Sequence, residues 1–283
     1  MTELQAKILQ ILIWTHHFCQ EHGLTYYMLG GTQLGAIRHK GFIPWDDDAD
    51  IGMPRPDYNK FIALTRGKIF GKYCVKSPQD ENYAWPYAKV FDMETTFVEK
   101  LIGQAAIGGL WLDVFPLDGT NRGMKEFVKY KYIQALKFCR GLRFSCEKDR
   151  PLWKNTVIRL CRFIPLSFWN RKINSIYSEA DFNLSDKMGN LTGGEGWRHH
   201  QDKGVWGKPT LYEFEGYRFF GPERADEYLR AMYGDYMKIP PEDKRQEHAA
   251  WFVDLEHGPD DSLKLKEFLK ENKKVKEFIA RRN

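Results

Sequence analysis

Residues 29–58 read LGGTQLGAIRHKGFIPWDDDADIGMPRPDY, and this stretch predicts both the fold of the core and its chemistry. Its second half places four aspartates within five positions. Side chains alternate between the two faces of a β-strand, so Asp46, Asp48 and Asp50 would share one face opposite a mostly apolar one. Carboxylates held side by side repel each other, and a divalent cation relieves that repulsion through oxygen ligands. The pattern predicts a metal-binding strand; the alternative is a solvated acidic turn.

Gly30, Gly31 and Thr32 follow a short apolar strand pattern and open a predicted helix over 32–38. Two glycines let the backbone approach a phosphate closely, and the first N–H groups of a helix are free to bind it. The sequence therefore predicts phosphate binding at this turn. Thr32 is also typical of a plain helix N-cap.

Four basic side chains are further candidates for contacts with phosphate. Arg38, His39 and Lys40 lie between the glycines and the aspartates, where they add hydrogen-bond donors. Lys89 lies in a predicted strand and would carry its charge into the sheet; the alternative is an edge-strand lysine. Phosphate held beside a metal site is the arrangement that phosphoryl transfer needs.

Strand and helix patterns alternate over roughly the first 119 residues, which predicts an α/β or α+β core. A basic, aromatic helical segment follows, and then a hairpin pattern and further helices. The patterns predict helices over 2–22, 32–38 and 56–66 and strands over 26–29, 46–53, 73–76, 87–91 and 110–115. The expected division is a catalytic core over 1–120, a basic helical insert over 121–185, a return to the core over 186–260 and a C-terminal basic helix over 261–283.

The composition is that of a globular chain rich in aromatic residues. Of its 283 residues, 42% are hydrophobic and 15% aromatic, and no run of about 18 apolar residues predicts a membrane-spanning helix. The five cysteines contain no CxxC pair, which indicates reduced thiols rather than a disulfide framework or a zinc site. The charged N-terminus lacks a secretory pattern, so we expect a cytoplasmic protein.

The string over 30–58 resembles the LicD family, the phosphorylcholine transferases. Two further stretches carry the resemblance: GLWLDVFPLDG at 109–119 and FEGYRFFGPERADEYLRAMYGDYMKIPPEDKRQEH at 214–248. Over residues 120–210 the resemblance lies in the general type of residues and not in a matching motif. Fukutin-type phosphosugar transferases are more distantly similar, and the zinc-binding cysteine insert of some of them is absent from this sequence.

The resemblance implies the fold of the nucleotidyltransferase superfamily, of the DNA polymerase beta type, with a short mixed sheet flanked by helices. It implies that Asp48 and Asp50 form an Asp-x-Asp pair of catalytic metal ligands and that a later strand supplies a third. The best third position is Asp113, within an apolar strand pattern. Asp118 is the alternative, but the residues around it are typical of a turn. Asp46 would be a supporting ligand.

The resemblance also implies a reaction. Family members transfer phosphocholine from CDP-choline to a sugar hydroxyl of a teichoic acid, lipopolysaccharide or capsule repeat, and CMP leaves. We therefore expect a CDP-alcohol donor, a glycan or lipid-linked glycan acceptor and Mg²⁺ or Mn²⁺, with no nucleic acid as partner. A metal on the three aspartates would activate the acceptor hydroxyl, and Asp113 would act as general base if one ion binds. The headgroup stays open among phosphocholine, phosphoethanolamine, a phosphonate and a polyol phosphate.

A choline headgroup would favour an aromatic cage, because a quaternary ammonium is attracted to aromatic faces. Trp45, Trp85, Tyr87 and Trp111 lie near the motifs and are candidates, although each is also typical of a core position. His248 falls in the last matching stretch, and its role cannot be derived from the sequence.

The segment 122–172 carries 14 Lys and Arg against three acidic residues, a balance of +11. Because the whole chain carries +5, the remainder carries −6. With a lipid-linked acceptor, this insert would suit peripheral contact with the inner face of the cytoplasmic membrane. The alternative is that its large apolar residues pack on the core. Those residues are Phe127, Phe138, Leu142, Phe144, Trp153, Ile158, Phe163 and Trp169.

Two other classes of function remain open. A nucleotidyltransferase acting on a small molecule or RNA would use the same glycines and aspartates and would release pyrophosphate. A non-catalytic protein would use the basic insert to bind a membrane or nucleic acid. The long match to the LicD motif favours the transferase.

Overall fold

The computed structural model describes residues 1–80, 83, 85–101, 104–121, 123–142, 152–178, 181–191, 200–242, 245 and 250–280. The helices within these residues are α1 (Glu3–Glu21), α2 (Gly30–Arg38), α3 (Arg55–Thr65), α4 (Met124–Leu142), α5 (Leu152–Phe163), α6 (Leu166–Tyr177), α7 (Lys203–Trp206), α8 (Ala225–Tyr233), α9 (Leu263–Glu271) and α10 (Lys273–Ala280). The strands are β1 (Tyr27–Met28), β2 (Asp50–Pro54), β3 (Ile69–Phe70), β4 (Tyr73–Lys76), β5 (Ala88–Leu101), β6 (Gln104–Thr120), β7 (Lys187–Asn190), β8 (Gln201–Asp202), β9 (Thr210–Phe214), β10 (Tyr217–Gly221) and β11 (Ala250–Asp254).

In the described part of the chain, the strands form a nine-stranded mixed sheet and a separate hairpin of β9 and β10. The main order is β1-β2-β6-β5-β4-β3, in which β2 and β6 are parallel and the other neighbours antiparallel. The predicted α+β class with a mixed sheet flanked by helices is confirmed. The sheet is larger than the short one expected, because the long strands β5 and β6 also pair with β11 and β7.

Helices α1 and α3 cover one face of the sheet and form the main core with it. Leu12 and Phe61 from these helices pack with Ile51, Val90 and Val114 from three adjacent strands. The apolar positions of both helices recur at helical spacing, so each helix buries one stripe against the sheet. This face therefore supplies the rigid support beneath the strands that carry the candidate site.

Helix α1 begins at a capping box. Thr2 Oγ1 accepts the Gln5 N–H at 3.1 Å, and Gln5 Oε1 accepts the Thr2 N–H at 2.9 Å. Gln5 Nε2 also donates to the carbonyl of Asp46 at 2.8 Å, so the first turn of α1 holds the acidic loop. Gly23 follows the helix with a φ of +60°, a left-handed conformation that favours glycine just after a helix C-terminus.

The opposite face of the sheet has a polar and an apolar part. Phe115 and Leu117 follow Asp113 at two-residue spacing along β6 and therefore lie on the same face of the sheet. They pack with Trp206 of α7 and Leu229 of α8 in a second buried cluster. The two helices thus cover the face beyond Asp113.

Two predicted elements differ from the observed ones. The aspartate-rich segment becomes a strand only at Asp50, because β1 pairs with Ile51 and Gly52 alone and leaves the earlier residues without a strand partner on that side. The expected C-terminal helix is divided at Asn272, whose N–H and side-chain amide both donate to the Phe268 carbonyl and end α9. The strand predicted over 73–76 is confirmed as β4.

The predicted basic insert is helical where the structure describes it. It contains α4, α5 and α6, and α4 packs against both of the others. None of the helices in the described ranges combines the length and apolar character that a bilayer-spanning segment needs. The division into core, insert, return and C-terminal region stays a prediction.

Candidate active site

Three charged residues lie in one row across the adjacent strands β2, β6 and β5. Asp50 pairs with Asp113 across the parallel β2–β6 pair, and Asp113 pairs with Lys89 across the antiparallel β6–β5 pair. Residues in register on neighbouring strands point to the same face, so the three side chains project together. The sheet thus assembles a site from three separate parts of the chain.

Lys89 is the buried cation of this row. Its side chain is 2% exposed, and its Nζ lies 3.1 Å from Asp113 Oδ1. The contact is an ion pair rather than a well-directed hydrogen bond, because Asp113 Oδ1 has no partner with hydrogen-bond geometry. Lys89 stands on a central strand flanked by β4 and β6, so the edge-strand alternative is wrong.

Burial and mutual repulsion raise the pKa of two carboxyl groups in the site. Burial raises the pKa of Asp50 well above its usual value, and the charges of Asp48 and Asp113 add to this effect. Asp46 adds less, and Lys89 opposes them. Burial likewise raises the pKa of Asp113 to about 6, against the lowering effect of Lys89. The carboxylates of Asp48, Asp50 and Asp113 thus act on one another electrostatically at this site.

The residues present fit a divalent cation. Asp113 Oδ1 is a buried acceptor without a hydrogen-bond donor, and Asp48 and Asp50 would add carboxylate oxygens. A set made only of oxygen donors suits Mg²⁺ or Mn²⁺ better than zinc.

Helix α2 begins directly against the acidic loop. A Cβ at Gly31 would lie 2.6 Å from Asp46 Oδ2, and a Cβ at Gly30 would lie 3.8 Å from Asp50 Oδ2. Gly30 has a φ of +48°, which also favours glycine. The glycines form the first turn of α2 rather than a loop before it, and they let the positive end of the helix dipole approach the carboxylates.

Thr32 fixes the start of β2. Its Oγ1 accepts the N–H of Asp50 at 2.8 Å. The N-cap of α2 is Leu29, which makes no side-chain capping bond, so the N-cap alternative for Thr32 is wrong. Contact of Gly30, Gly31 and Thr32 with phosphate stays a prediction.

The basic residues at the end of α2 bind neighbouring protein groups. Arg38 donates from Nη1 to the Tyr236 carbonyl at 2.7 Å and from Nε to His39 Nε2 at 2.9 Å. Burial lowers the pKa of His39, and the charge of Arg38 lowers it further, which fits a neutral acceptor ring. Lys40 has a φ of +58°, and its carbonyl accepts the Glu215 N–H at 2.8 Å. Their contact with phosphate stays a prediction.

Comparison with known proteins shows the family of this chain. A family model described as LicD/FKTN/FKRP, nucleotidyltransferase domain, matches residues 23–148. The lipopolysaccharide cholinephosphotransferase LicD of Haemophilus influenzae is 31% identical over 265 residues, which cover 88% of this chain and 95% of that protein. The chain belongs to the LicD family.

Two further proteins are similar over shorter stretches. The uncharacterized protein RT0683 of Rickettsia typhi is 42% identical over 58 residues, and RP689 of Rickettsia prowazekii is 42% identical over 51 residues. They cover 20% and 18% of this chain and 19% of each relative. The LicD family model spans every candidate site residue described above.

Asp118, the alternative third ligand, pairs with Arg55 on the face of the sheet opposite to Asp113. It lies within β6 rather than in the expected turn, and its odd spacing from Asp113 places it on the opposite face. Its two oxygens accept bonds from Arg55 Nε and Nη2 at 2.6 and 2.7 Å. Both residues are buried. This bidentate ion pair gives Asp118 a structural role.

The aromatic residues predicted as a headgroup cage already contact protein cations. Lys89 Nζ lies 3.8 Å from the ring centroid of Trp111, 4.5 Å from that of Trp85 and 5.8 Å from that of Tyr87. The fourth candidate, Trp45, packs under the guanidinium of Arg245 at 4.4 Å. His248 lies outside the described residues.

Two tyrosines of α8 complete the glycine side of the site, and sequence reasoning missed both. Tyr228 Oη accepts the N–H of Gly30 at 3.0 Å, and Tyr233 Oη lies 3.3 Å from the point that a Gly30 Cβ would occupy. The stretch at 214–248 that resembles the LicD family contains both tyrosines, and this was the available signal.

A second group of side chains that could bind a metal ion lies near the C-terminus. Within the described residues, Asp254, Glu256 and His257 are the three whose ligating atoms all lie within 4.8 Å of one another, which is close enough to hold a metal ion. Asp254 accepts the Ser262 hydroxyl at 2.7 Å, and Lys264 Nζ lies 3.1 Å from Glu256. Asp48, Asp50 and Asp113 do not form a group this tight within the described residues.

Proposed function

We propose that this protein transfers a substituted phosphate group, phosphocholine from CDP-choline, to a hydroxyl of a cell-surface glycan precursor and releases CMP. The name of the Haemophilus relative, a lipopolysaccharide cholinephosphotransferase, supports the headgroup and a lipopolysaccharide acceptor. The observation that carries the proposal is the in-register pair of Asp50 and Asp113 on β2 and β6. A cytoplasmic nucleotide donor would place the reaction on the cytoplasmic side of the membrane.

Asp48, Asp50 and Asp113 would hold one or two Mg²⁺ or Mn²⁺ ions in a nucleotidyltransferase-type core. The bound ion would supply Lewis-acid chemistry, by making the acceptor hydroxyl more acidic and offsetting charge on the donor diphosphate. If one ion binds, Asp113 would also accept the hydroxyl proton as a general base. Lys89, fixed by its ring contacts, would keep the Asp113 carboxylate in place.

The first turn of α2 would bind the donor phosphates. The absence of side chains at Gly30 and Gly31 leaves room there, and the hydrogen bond from Gly30 to Tyr228 fixes the backbone of the turn. The headgroup stays open among choline, ethanolamine, a phosphonate and a polyol, because the four candidate rings contact Lys89 and Arg245 in this structure.

The test is CMP release from a panel of CDP-choline, CDP-ethanolamine, CDP-ribitol, CDP-glycerol and CMP-aminoethylphosphonate, with Mg²⁺ or Mn²⁺ and a deacylated lipopolysaccharide as acceptor. We expect metal-dependent release from one donor. Asp50→Asn should lower the rate about a hundredfold or more, since even residues around the ligands of a metal site are worth ten- to a hundredfold. Asp57→Asn, in the first turn of α3, is the matched control and should keep full activity.

Other outcomes would redirect the assignment. Pyrophosphate release from a nucleoside triphosphate would support the nucleotidyltransferase alternative. Full activity of Asp50→Asn would remove Asp50 from the metal site.

A further inference from the structure

Helix α4 is amphipathic, but four of its charged residues face the protein and large apolar residues face outward, the opposite of an ordinary surface helix. Its protein-facing side, around the buried Ile133, includes the half-buried Glu126, Lys129, Lys137 and Arg140. At 100° per residue these positions cluster within about one third of the helix circumference. Arg140 donates from this side to Asn170 of α6 at 3.3 Å. The helix therefore turns these four charged residues toward the protein, whereas Lys125 and Lys131 are exposed.

The outward side of α4 is apolar. Large hydrophobic residues are exposed along it, although a solvated helix face is normally polar. Phe138 is 68% exposed, for example. The exposed apolar residues are Met124, Phe127, Val128, Tyr132 and Phe138.

The neighbouring helices continue this exposed apolar character. Val157, Leu160 and Phe163 of α5 follow one another at three-residue spacing and are exposed, with Phe163 at 83%. Phe168 of α6 is also exposed, beside Arg171. The expectation that all the large residues of the insert form one interfacial surface is corrected at two positions. Ile158 and Trp169 are buried, whereas Phe144 lies outside the described residues.

The charge of the three helices decides between partners. Five cations of α4, α5 and α6 are exposed, and the single acid of these helices, Glu126, is half-buried; the exposed cations are Lys125, Lys131, Arg159, Arg171 and Lys172. A second copy would bring the same positive charge against this surface. An anionic lipid bilayer offers apolar depth for the exposed side chains and negative headgroups for the cations. Nucleic acid would satisfy the cations but would not bury aliphatic side chains such as Met124 and Leu160.

We propose that the outward faces of α4, α5 and α6 dock on the surface of an anionic lipid bilayer. The apolar side chains enter the interface, and the surrounding lysines and arginines contact the headgroups. The docked helices are linked to the candidate active site through two residues: Asn170 of α6 donates to the Tyr83 carbonyl at 2.8 Å, and Tyr83 packs on Trp85, next to Lys89. The catalytic face is thereby held close to the membrane surface.

Vesicle flotation of the full chain tests the proposal. The vesicles are phosphatidylcholine alone or equal parts of phosphatidylcholine and phosphatidylglycerol. We expect the wild-type protein to float with the anionic vesicles, less so at high salt, and not with the neutral ones. A Phe138→Ser/Phe163→Ser variant should lose about tenfold or more in apparent affinity, since its two apolar anchors are gone.

The matched control is Ile69→Ser/Leu184→Ser, which removes two side chains that are 70% and 79% exposed outside these helices. It should float like the wild type. Thermal melting by circular dichroism should show that both variants fold, because all four side chains are exposed. Absence of wild-type flotation, or equal flotation of the Phe138→Ser/Phe163→Ser variant, would overturn the proposal. A wild-type dimer that this variant dissociates, with no lipid binding, would instead assign the surface to a second copy.

Discussion

Asp50 and Asp113 are partners across the one parallel strand pair of the described sheet, and Lys89 stands opposite Asp113 on its other side. Residues in register on neighbouring strands point to the same face, so two carboxylates from distant segments meet there. The lysine compensates one of them. The charges of Asp48 and Asp46 from the preceding loop act on the second carboxylate and raise the pKa of Asp50, together with its burial.

Replacing Lys89 by methionine should destabilise the metal-free protein strongly. The change leaves Asp113 buried without its counter-charge, and breaking a buried pair in this way costs about 3–5 kcal/mol. Chemical denaturation should show a loss of this size near pH 8 and a smaller one near pH 5, where Asp113 takes up a proton. Lys187→Met removes one member of a pair whose partner Asp202 is 59% exposed, and it should cost about 1 kcal/mol or less. Equal losses in the two variants would contradict a special role for the buried pair.

Replacing Asp118 by asparagine should reduce stability without affecting the site. Its buried bidentate pair with Arg55 lies on the other face of the sheet, so we expect a loss of about 3–5 kcal/mol in unfolding free energy. Mn²⁺ affinity, measured by electron paramagnetic resonance at a temperature where the variant is folded, should stay within about threefold of wild type, since mutations at distant sites act independently. If metal binding is lost while stability is kept, Asp118 and not Asp113 is the third ligand.

Replacing Gly31 by alanine should separate stability from activity. The new Cβ would lie 2.6 Å from Asp46 Oδ2, so the carboxylate must move, whereas alanine itself favours the helix by up to about 1 kcal/mol. We expect nearly unchanged stability and a fall in turnover of up to about a hundredfold, because small displacements at a reaction centre are costly. Gly141→Ala in α4 meets open space and should leave turnover unchanged. Wild-type turnover in Gly31→Ala would show that the close approach of α2 is not needed.

The metal-free protein should become less stable as the pH rises, because burial raises the pKa of two of its carboxyl groups. The pKa of Asp113 is raised to about 6 in the folded state, so the folded chain binds more protons than the unfolded chain between about pH 4 and pH 6. The contribution of Asp113 to the free energy of unfolding is fully present below the pKa of this carboxyl in the unfolded chain, and it is lost as the pH rises through about 6. Asp50 shifts in the same direction and should extend the loss to higher pH. Denaturation midpoints across this range, with and without Mn²⁺, measure the effect. A metal-free protein that gains stability as pH rises through this window would contradict the raised pKa values.

Much of the candidate site could be read from local pattern. The alternation around Asp48 and Asp50, the two glycines and the apolar strand at Asp113 are properties of short segments, and the sequence contains them in full. The start of β2 was placed too early because the pairing of β1, which fixes where the strand begins, is a long-range contact.

The surroundings of Lys89 and Asp118 could not be read in the same way. The charge of a lysine in a strand pattern does not reveal whether the strand lies at the edge or in the centre of a sheet. Pro116 and Gly119 near Asp118 are typical of a turn, yet pairing with β2 and β7 holds the segment in a strand. Tertiary pairing outweighed local propensity at this position.

The sequence by itself determined the family, the α+β class and the identity of the acidic and glycine motifs, because these depend on residue types at fixed short spacing. Only the tertiary structure decided that Asp50, Asp113 and Lys89 stand in one row, that Asp118 belongs to the opposite face, and that α4 turns its apolar side outward. The physical reason is that register and burial arise from contacts between segments far apart in the chain. Such contacts set the charge balance of a site, and no local pattern records them.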